Sequence, residues 1–198
     1  MVVKQHTVRI TGGTALGRTI IGPKPAHNTI RPTSDRVREA IFNILAPTVS
    51  GNTVLDLFAG TGAFGLEALS RGAESVVFVD RDRAALELIG RNLQACCPNA
   101  ATRAFQLDLA RTSSLGRLQK HLPENYRFNL VFLDPPYEKK LAENLLKMVG
   151  LSGIIGDESL VIVEEQHNQK LPATINRLTL TDRRRYGETG LWFYTACS

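Results

Sequence analysis

A short apolar run, Val54, Leu55, Leu57 and Phe58, is interrupted once by Asp56 and halts at Gly60; helix-forming residues resume at Ala63. An apolar run of that length bounded by glycines predicts a buried strand, a tight turn and the start of a helix. Gly60, Gly62 and Gly65 fit G-x-G-x-x-G, and Asp80 follows Gly60 by 20 residues at the end of a second apolar run, Ser75 to Val79. Glycines in such a turn let the backbone approach a ligand closely, and an acid at that distance can accept from ribose hydroxyls. The pattern points to a nucleoside-containing cofactor.

Dinucleotide-binding sheets carry the same glycine fingerprint, so the glycines alone do not choose the cofactor. Asp56, an acid inside the apolar strand, is more telling. A pyrophosphate is repelled by a carboxylate there, whereas a cation is attracted. S-adenosylmethionine, with a sulfonium and an ammonium, suits that charge pattern. The alternative is that Asp56 caps local backbone N–H groups. The expected cofactor site comprises Asp56, Phe58, Gly60, Thr61 and Gly62, with Asp80 and Arg81 after the second strand and Asp108 and Leu109 after the third. Asp108 is placed to meet the adenine amino group.

The remaining chain follows an α/β rhythm. Strands are expected near 53–58, 75–79, 102–107, 128–133 and 159–164, and helices near 63–71, 82–95, 112–121 and 138–149. Such alternation signals a doubly wound, mostly parallel sheet. Thr174–Thr181 and Leu191–Thr195, flanking the turn-rich Arg183–Gly190, predict an antiparallel pair. At the other end, His6 to Thr11 and Gly17 to Ile21 predict a hairpin around Gly12 and Gly13. A loop with Pro23, Pro25 and Pro32 precedes a helix capped by Thr33 or Ser34, with Val37, Ile41, Ile44 and Leu45 on one apolar face. Pro47 ends that helix.

With 198 residues, 43% hydrophobic and 22% charged, the chain suits one globular domain with a small appendage. No run approaches a membrane span, and the N-terminus lacks the apolar core of a signal peptide. Cys96, Cys97 and Cys197 form no disulfide or zinc framework, and the four histidines stand at no ligand spacing, so no metal is expected. A cytoplasmic, reducing setting follows.

Charge is unevenly placed. Residues 1–40 hold seven Lys/Arg (Lys4, Arg9, Arg18, Lys24, Arg31, Arg36, Arg38) against Asp35 and Glu39, while the remainder balances at 17 of each sign. A localised basic surplus is the footprint of a nucleic-acid contact, and a merely solvated arm is the alternative. Residues 1–33 are therefore expected to form a basic arm for RNA contact, and 34–198 the cofactor-binding domain. Lys4, Arg9, Arg18, Arg31, Arg36 and Arg38 are the candidate RNA-binding residues. Arg183, Arg184 and Arg185 are either a further nucleic-acid contact or a solvated charge run.

The fourth strand, 128–133, runs into Asp134-Pro135-Pro136-Tyr137. In doubly wound sheets ligands sit beyond the carboxyl ends of the strands. These four residues suit methylation of an exocyclic amino group on a base, whose lone pair is delocalised into the ring. The Asp134 carboxylate and the Pro135 carbonyl can each accept one N–H, drawing the nitrogen towards tetrahedral geometry. Pro135 and Pro136 stiffen the turn, and Tyr137 offers a ring for stacking. A plain Asp-Pro turn after a buried strand is the alternative.

These motifs carry a resemblance. Arg9-Ile10-Thr11-Gly12-Gly13 with Gly17-Arg18, then Arg31 to Glu39, Asp56 to Gly62, Gly65 to Gly72 and Asp134 to Tyr137 together resemble the RsmD-type small-subunit ribosomal RNA guanine-N2 methyltransferases. The likeness spans nearly the whole chain. It implies a seven-stranded, mostly parallel Rossmann-like sheet with a small N-terminal β-hairpin extension. It also implies methylation of a guanine of 16S rRNA within the small ribosomal subunit or its assembly intermediate, by a chain expected to be a monomer. Asp80 stands where many relatives carry glutamate, which preserves the carboxylate.

Two other classes remain open on the residues alone. One is a DNA amino-methyltransferase acting on adenine N6 or cytosine N4, although 198 residues leave little room for a target-recognition segment. The other is a non-catalytic RNA-binding module, for which an intact Asp134–Tyr137 motif would be needless.

Overall fold

The computed structural model describes residues 7–22, 35–137 and 140–197. They fall into two units, one ending at Gln106 and the other beginning at Leu107.

In the first unit, Thr7–Arg9 (β1) and Thr19–Ile21 (β2) pair antiparallel, with Val8 opposite Ile20. This is the expected hairpin; His6 and the capping residues Thr33 and Ser34 lie outside the described residues. The hairpin is docked: Val8, Ile10, Ala15 and Ile20 share a buried cluster with Ala63, Leu66 and Cys96. At its tip a Cβ on Gly13 would fall 1.8 Å from the Ser70 carbonyl oxygen, so only glycine permits the approach.

Asp35–Leu45 forms α1, with Val37, Arg38, Ile41, Phe42 and Leu45 buried. Ile44, expected on the apolar face, is 37% exposed, and Phe42 takes its place, its ring 4.9 Å from that of Phe64. Thr53–Leu57 (β3), Ser75–Asp80 (β4) and Ala101–Gln106 (β5) form a parallel set in the order β5-β4-β3. Between them run Ala63–Ser70 (α2) and Arg83–Cys96 (α3). Every residue of α2 is buried, so its sequence carries no polar face. Gly65 in α2 packs directly on β4, where a Cβ would lie 2.3 Å from Phe78 Cε1.

The second unit contains Ser114–Gln119 (α4), Phe128–Leu133 (β6), Leu141–Leu151 (α5) and Ile155–Gln166 (β7). β6 and β7 are parallel, with Leu133 opposite Val163. β7 is longer than the 159–164 expected. Its first residues carry no strand signature, with Glu158 at φ 62, but Ser159 Oγ accepts from Gly156 N and donates to the Phe128 carbonyl, seating the irregular stretch against β6. Thr174–Ile175 (β8), Leu178–Tyr186 (β9) and Thr189–Ala196 (β10) complete the antiparallel order β7-β10-β9-β8. Arg183, Arg184 and Arg185 therefore lie in a strand and not in a turn; the turn is Gly187-Glu188.

The α/β class is as expected. Among the described residues, strands β3 to β10 number eight against the seven expected, because the two-residue β8 escapes any periodicity signal. Among the same residues, no helix is long and apolar enough to cross a membrane.

Candidate active site

β3 ends in a turn that the backbone tightens through three left-handed residues: Phe58 at φ 63, Gly60 at φ 54 and Gly62 at φ 78. Gly62 N donates to the Ala59 carbonyl at 2.7 Å, closing the turn, and Leu66 N to the Gly62 carbonyl at 2.8 Å, opening α2. Two carboxylates hold this loop. Asp56, only 2% exposed, accepts Gly65 N at 3.0 Å on Oδ2. The capping role considered for Asp56 is thus present, and it places negative charge beneath the turn. Asp80 accepts Gly60 N at 2.8 Å on Oδ2 and Asp82 N at 2.9 Å on Oδ1.

Each carboxylate oxygen carries two lone pairs, so the half-buried Asp80 retains acceptor capacity on both after these bonds. An adjacent diol is the group such a pair of acceptors suits. With Asp56 buried below the turn, the donor set fits a nucleoside that carries positive charge. Thr61 is 4% exposed, and its carbonyl accepts Asn92 Nδ2 at 3.0 Å. Arg81 is exposed.

Asp108 accepts Ala110 N at 3.2 Å and Arg111 Nε at 3.2 Å, so its carboxylate organises its own loop. Leu109 is 2% exposed and belongs to the core. Past the end of β6, Asp134 is half-buried, Pro135 buried and Pro136 exposed; Tyr137 is 39% exposed, an unusual position for a large aromatic ring.

The basic residues divide. Lys4 and Arg31 lie outside the described residues. Arg9 and Arg36 are exposed. Arg18 is exposed too, but its Nη1 donates to the Ala95 carbonyl at the end of α3 at 2.5 Å, tying the hairpin to that helix. Arg38 corrects the expectation of a phosphate contact: it is fully buried, its Nε 3.4 Å from Glu67 Oε2 and its Nη2 donating to the Arg9 carbonyl. Its Nη1 is 3.2 Å from Asp35 Oδ1, within ion-pair distance but off the hydrogen-bonding direction. In the second unit, the Arg183 guanidinium stacks on Trp192 at 4.9 Å and Arg184 pairs with Asp182 at 2.7 Å.

Glu67 and Asn92 are buried polar residues that the reading of the chain gave no role, although Glu67 lies within the Gly65 to Gly72 motif. Glu67 accepts Thr11 N and Thr11 Oγ1, each at 2.8 Å, and Arg71 Nε at 2.8 Å. Asn92 binds both the N–H and the carbonyl of Ile21. Each is a polar residue on a helix stripe that is otherwise apolar, which is the signal that could have found them. Burial pushes the Cys96 and Cys97 thiols above their ordinary pKa, against a smaller lowering by Arg18. Among the described residues, no group of three or more His, Cys, Asp or Glu side chains is placed to hold a metal ion.

The family model described as conserved hypothetical protein 95 matches residues 8–195. The chain belongs to that family. Within it, ribosomal RNA small subunit methyltransferase D of Escherichia coli strain K12 is 35% identical over 188 residues, spanning 94% of this chain and 89% of that protein. The putative rRNA methyltransferase YlbH of Bacillus subtilis is 33% identical over 187 residues, spanning 94% and 98%. The solved structure of the putative methyltransferase yhhF from Escherichia coli superposes with a TM-score of 0.80 at 32% identity, covering 97% of this chain and 99% of that one. The resemblance to the RsmD type is borne out, and this member of the family is an enzyme of the methyltransferase class. SMU.776, a putative methyltransferase complexed with SAH, shares the fold at a TM-score of 0.70 and 17% identity.

Proposed function

We propose that the protein transfers a methyl group from S-adenosylmethionine to the exocyclic N2 of a guanine in 16S rRNA of the small ribosomal subunit or its assembly intermediate. The observation that carries this reading is the Asp134-Pro135-Pro136-Tyr137 turn at the end of β6, in a chain that the small-subunit rRNA methyltransferase D of Escherichia coli matches over 94% of its length. The setting is the cytoplasm, where subunits are assembled, and the working form is a monomer.

S-adenosylmethionine supplies an electrophilic methyl group on a sulfonium. Asp80 accepts from the ribose hydroxyls, and the charge on Asp56 favours a cation over a phosphate at the glycine turn. Phe58, Thr61 and Arg81 are the further residues of the turn and of the end of β4 assigned to the nucleoside, and Asp108 and Leu109 are assigned to its adenine. The guanine leaves its stack and lies on the exposed Tyr137 ring. Asp134 and the Pro135 carbonyl each accept one N–H of the amino group, directing its lone pair at the methyl carbon. With the methyl group supplied by the cofactor, Asp134 would take the surplus proton from the amino nitrogen and pass it to solvent. None of the three cysteines, Cys96, Cys97 and Cys197, stands in a motif suited to attacking the base, so the transfer is direct, with no covalent enzyme intermediate.

RNA is held from the hairpin end, with Arg9 and Arg36 exposed for phosphate and Lys4 and Arg31 completing the basic set. A chain of this size borrows specificity from the shape of its substrate. Labelled-methyl transfer to small subunits, naked 16S rRNA, duplex DNA and protein tests the reading. Label is expected on guanine N2 of the rRNA; label on DNA or protein alone, or none at all, overturns it.

A further inference from the structure

Asn92 is fully buried on α3, and its amide is spent on two segments far apart in the sequence. Oδ1 accepts Ile21 N at 2.9 Å, while Nδ2 donates to the Ile21 carbonyl at 3.0 Å and to the Thr61 carbonyl at 3.0 Å. One side chain thus pairs with the end of hairpin strand β2 as a neighbouring strand would, and also fixes a carbonyl in the glycine turn. Thr61 sits between two left-handed glycines, Gly60 at φ 54 and Gly62 at φ 78, where the backbone has unusual freedom and needs an outside constraint.

We propose that Asn92 is a positioning residue that couples RNA engagement by the hairpin to the readiness of the cofactor turn. The inference rests on the functional reading above. RNA that immobilises the hairpin restricts Ile21, hence the Asn92 amide, hence the Thr61 carbonyl. The cofactor then meets a turn whose ordering has already been achieved, and binds more tightly. By reciprocity the bound cofactor tightens RNA binding by the same factor.

Among the described residues, the bonds that hold the hairpin tip end on Ser70 and not on the turn, which makes the claim separable from simple docking. Ser70 Oγ donates to the Gly12 carbonyl and accepts Ala15 N at 2.9 Å, and the Thr14 N–H donates to the Ser70 carbonyl at 2.8 Å. These hold the hairpin tip on Ser70, at the opposite end of α2 from the turn.

The test measures S-adenosylhomocysteine affinity with and without saturating small ribosomal subunits. Wild-type protein is expected to bind it about fivefold or more tightly in the presence of subunits. Asn92→Asp keeps the acceptor for Ile21 N but removes both donors, and the ratio is expected to fall towards one while each ligand still binds. Ile21→Pro removes one of the two bonds between Asn92 and the hairpin and leaves Asn92 to Thr61 intact, so the ratio is expected to fall in part even should the Asp variant fail to fold. Ser70→Ala is expected to lower thermal stability and keep the ratio. An unchanged ratio in both link variants, an equal collapse in Ser70→Ala, or a wild-type ratio of one overturns the inference alone. Failure of the wild-type protein to bind subunits overturns the functional reading with it.

Discussion

Arg38 and Glu67 form an ion pair, Nε to Oε2 at 3.4 Å, in which neither side chain has any exposed surface. Removing one partner of a buried pair costs about 3–5 kcal/mol when the other is left with no counter-charge; Glu67 keeps Arg71 Nε at 2.8 Å, so the cost here is about 3 kcal/mol or less. Arg38→Met should therefore lose about that much in chemical denaturation. Arg9→Ala and Arg36→Ala, on exposed sites, should leave stability nearly unchanged. Each should instead flatten the salt dependence of RNA binding, by roughly 0.7–0.9 in the logarithmic slope for each phosphate that is no longer neutralised. A flattened slope for Arg38→Met with unchanged stability would contradict the burial.

Asp80→Ala should weaken S-adenosylmethionine binding by about 1.5–3 kcal/mol, the worth of a hydrogen bond to a charged group. The loss includes a local part, because Asp80 also holds Gly60 N at 2.8 Å. Asp80→Glu should recover most of the affinity, since a carboxylate remains. Isothermal calorimetry checks both, and wild-type affinity in Asp80→Ala would remove Asp80 from the site.

Asp134→Ala should leave S-adenosylhomocysteine affinity nearly intact while turnover falls by on the order of a hundredfold or more. Tyr137→Ala should also reduce turnover, whereas Tyr137→Phe keeps the stacking face and should be mild. The triple variant Cys96→Ser, Cys97→Ser, Cys197→Ser should remain active. Single-turnover assays separate chemistry from binding; a fully active Asp134→Ala would end the proposed role of that carboxylate.

Glu165, 3% exposed on β7, has its carboxyl pushed above the ordinary glutamate range by burial, against a smaller lowering from the Gln166 N–H. A raised folded-state pKa means that the native state holds this proton more tightly than the unfolded chain does. The associated stability is full below the unfolded pKa and is lost as pH rises through the folded one. Glu165→Gln should therefore raise the melting temperature at neutral pH and change it little near pH 4. An equal gain at both pH values would point to packing instead.

Much of the fold is open to a reader of the chain. Strand and helix positions from Thr53 to Leu133 follow from apolar periodicity, and the turn follows from Gly60 and Gly62, which favour left-handed backbone, whereas Phe58 at φ 63 carries no such signal. Arg38 departs from its expected role for a physical reason. A charge in a basic segment is ordinarily solvated, and only the fold brings Glu67 beside it across 29 residues of sequence. Asn92 and Glu67 each interrupt an apolar helix stripe, but their partners Ile21 and Thr11 stand 71 and 56 residues away and leave no local trace. The arginines of β9 read as a turn because charge and Gly187 suggest one, while the ladder with β10 from Tyr186 to Leu178 prevails.

Gly65 and Phe78 meet so closely that a methyl group on the first would enter the ring of the second. The two positions therefore share a single allotment of volume. A lineage that enlarges residue 65 must shrink residue 78, and make room at Val76 beside it, in the same or an earlier step, or else push α2 away from β4. Because α2 begins where the cofactor turn ends, that displacement would reach the turn itself. Drift at this pair should be visible across descendants as correlated change, with the glycine last to go.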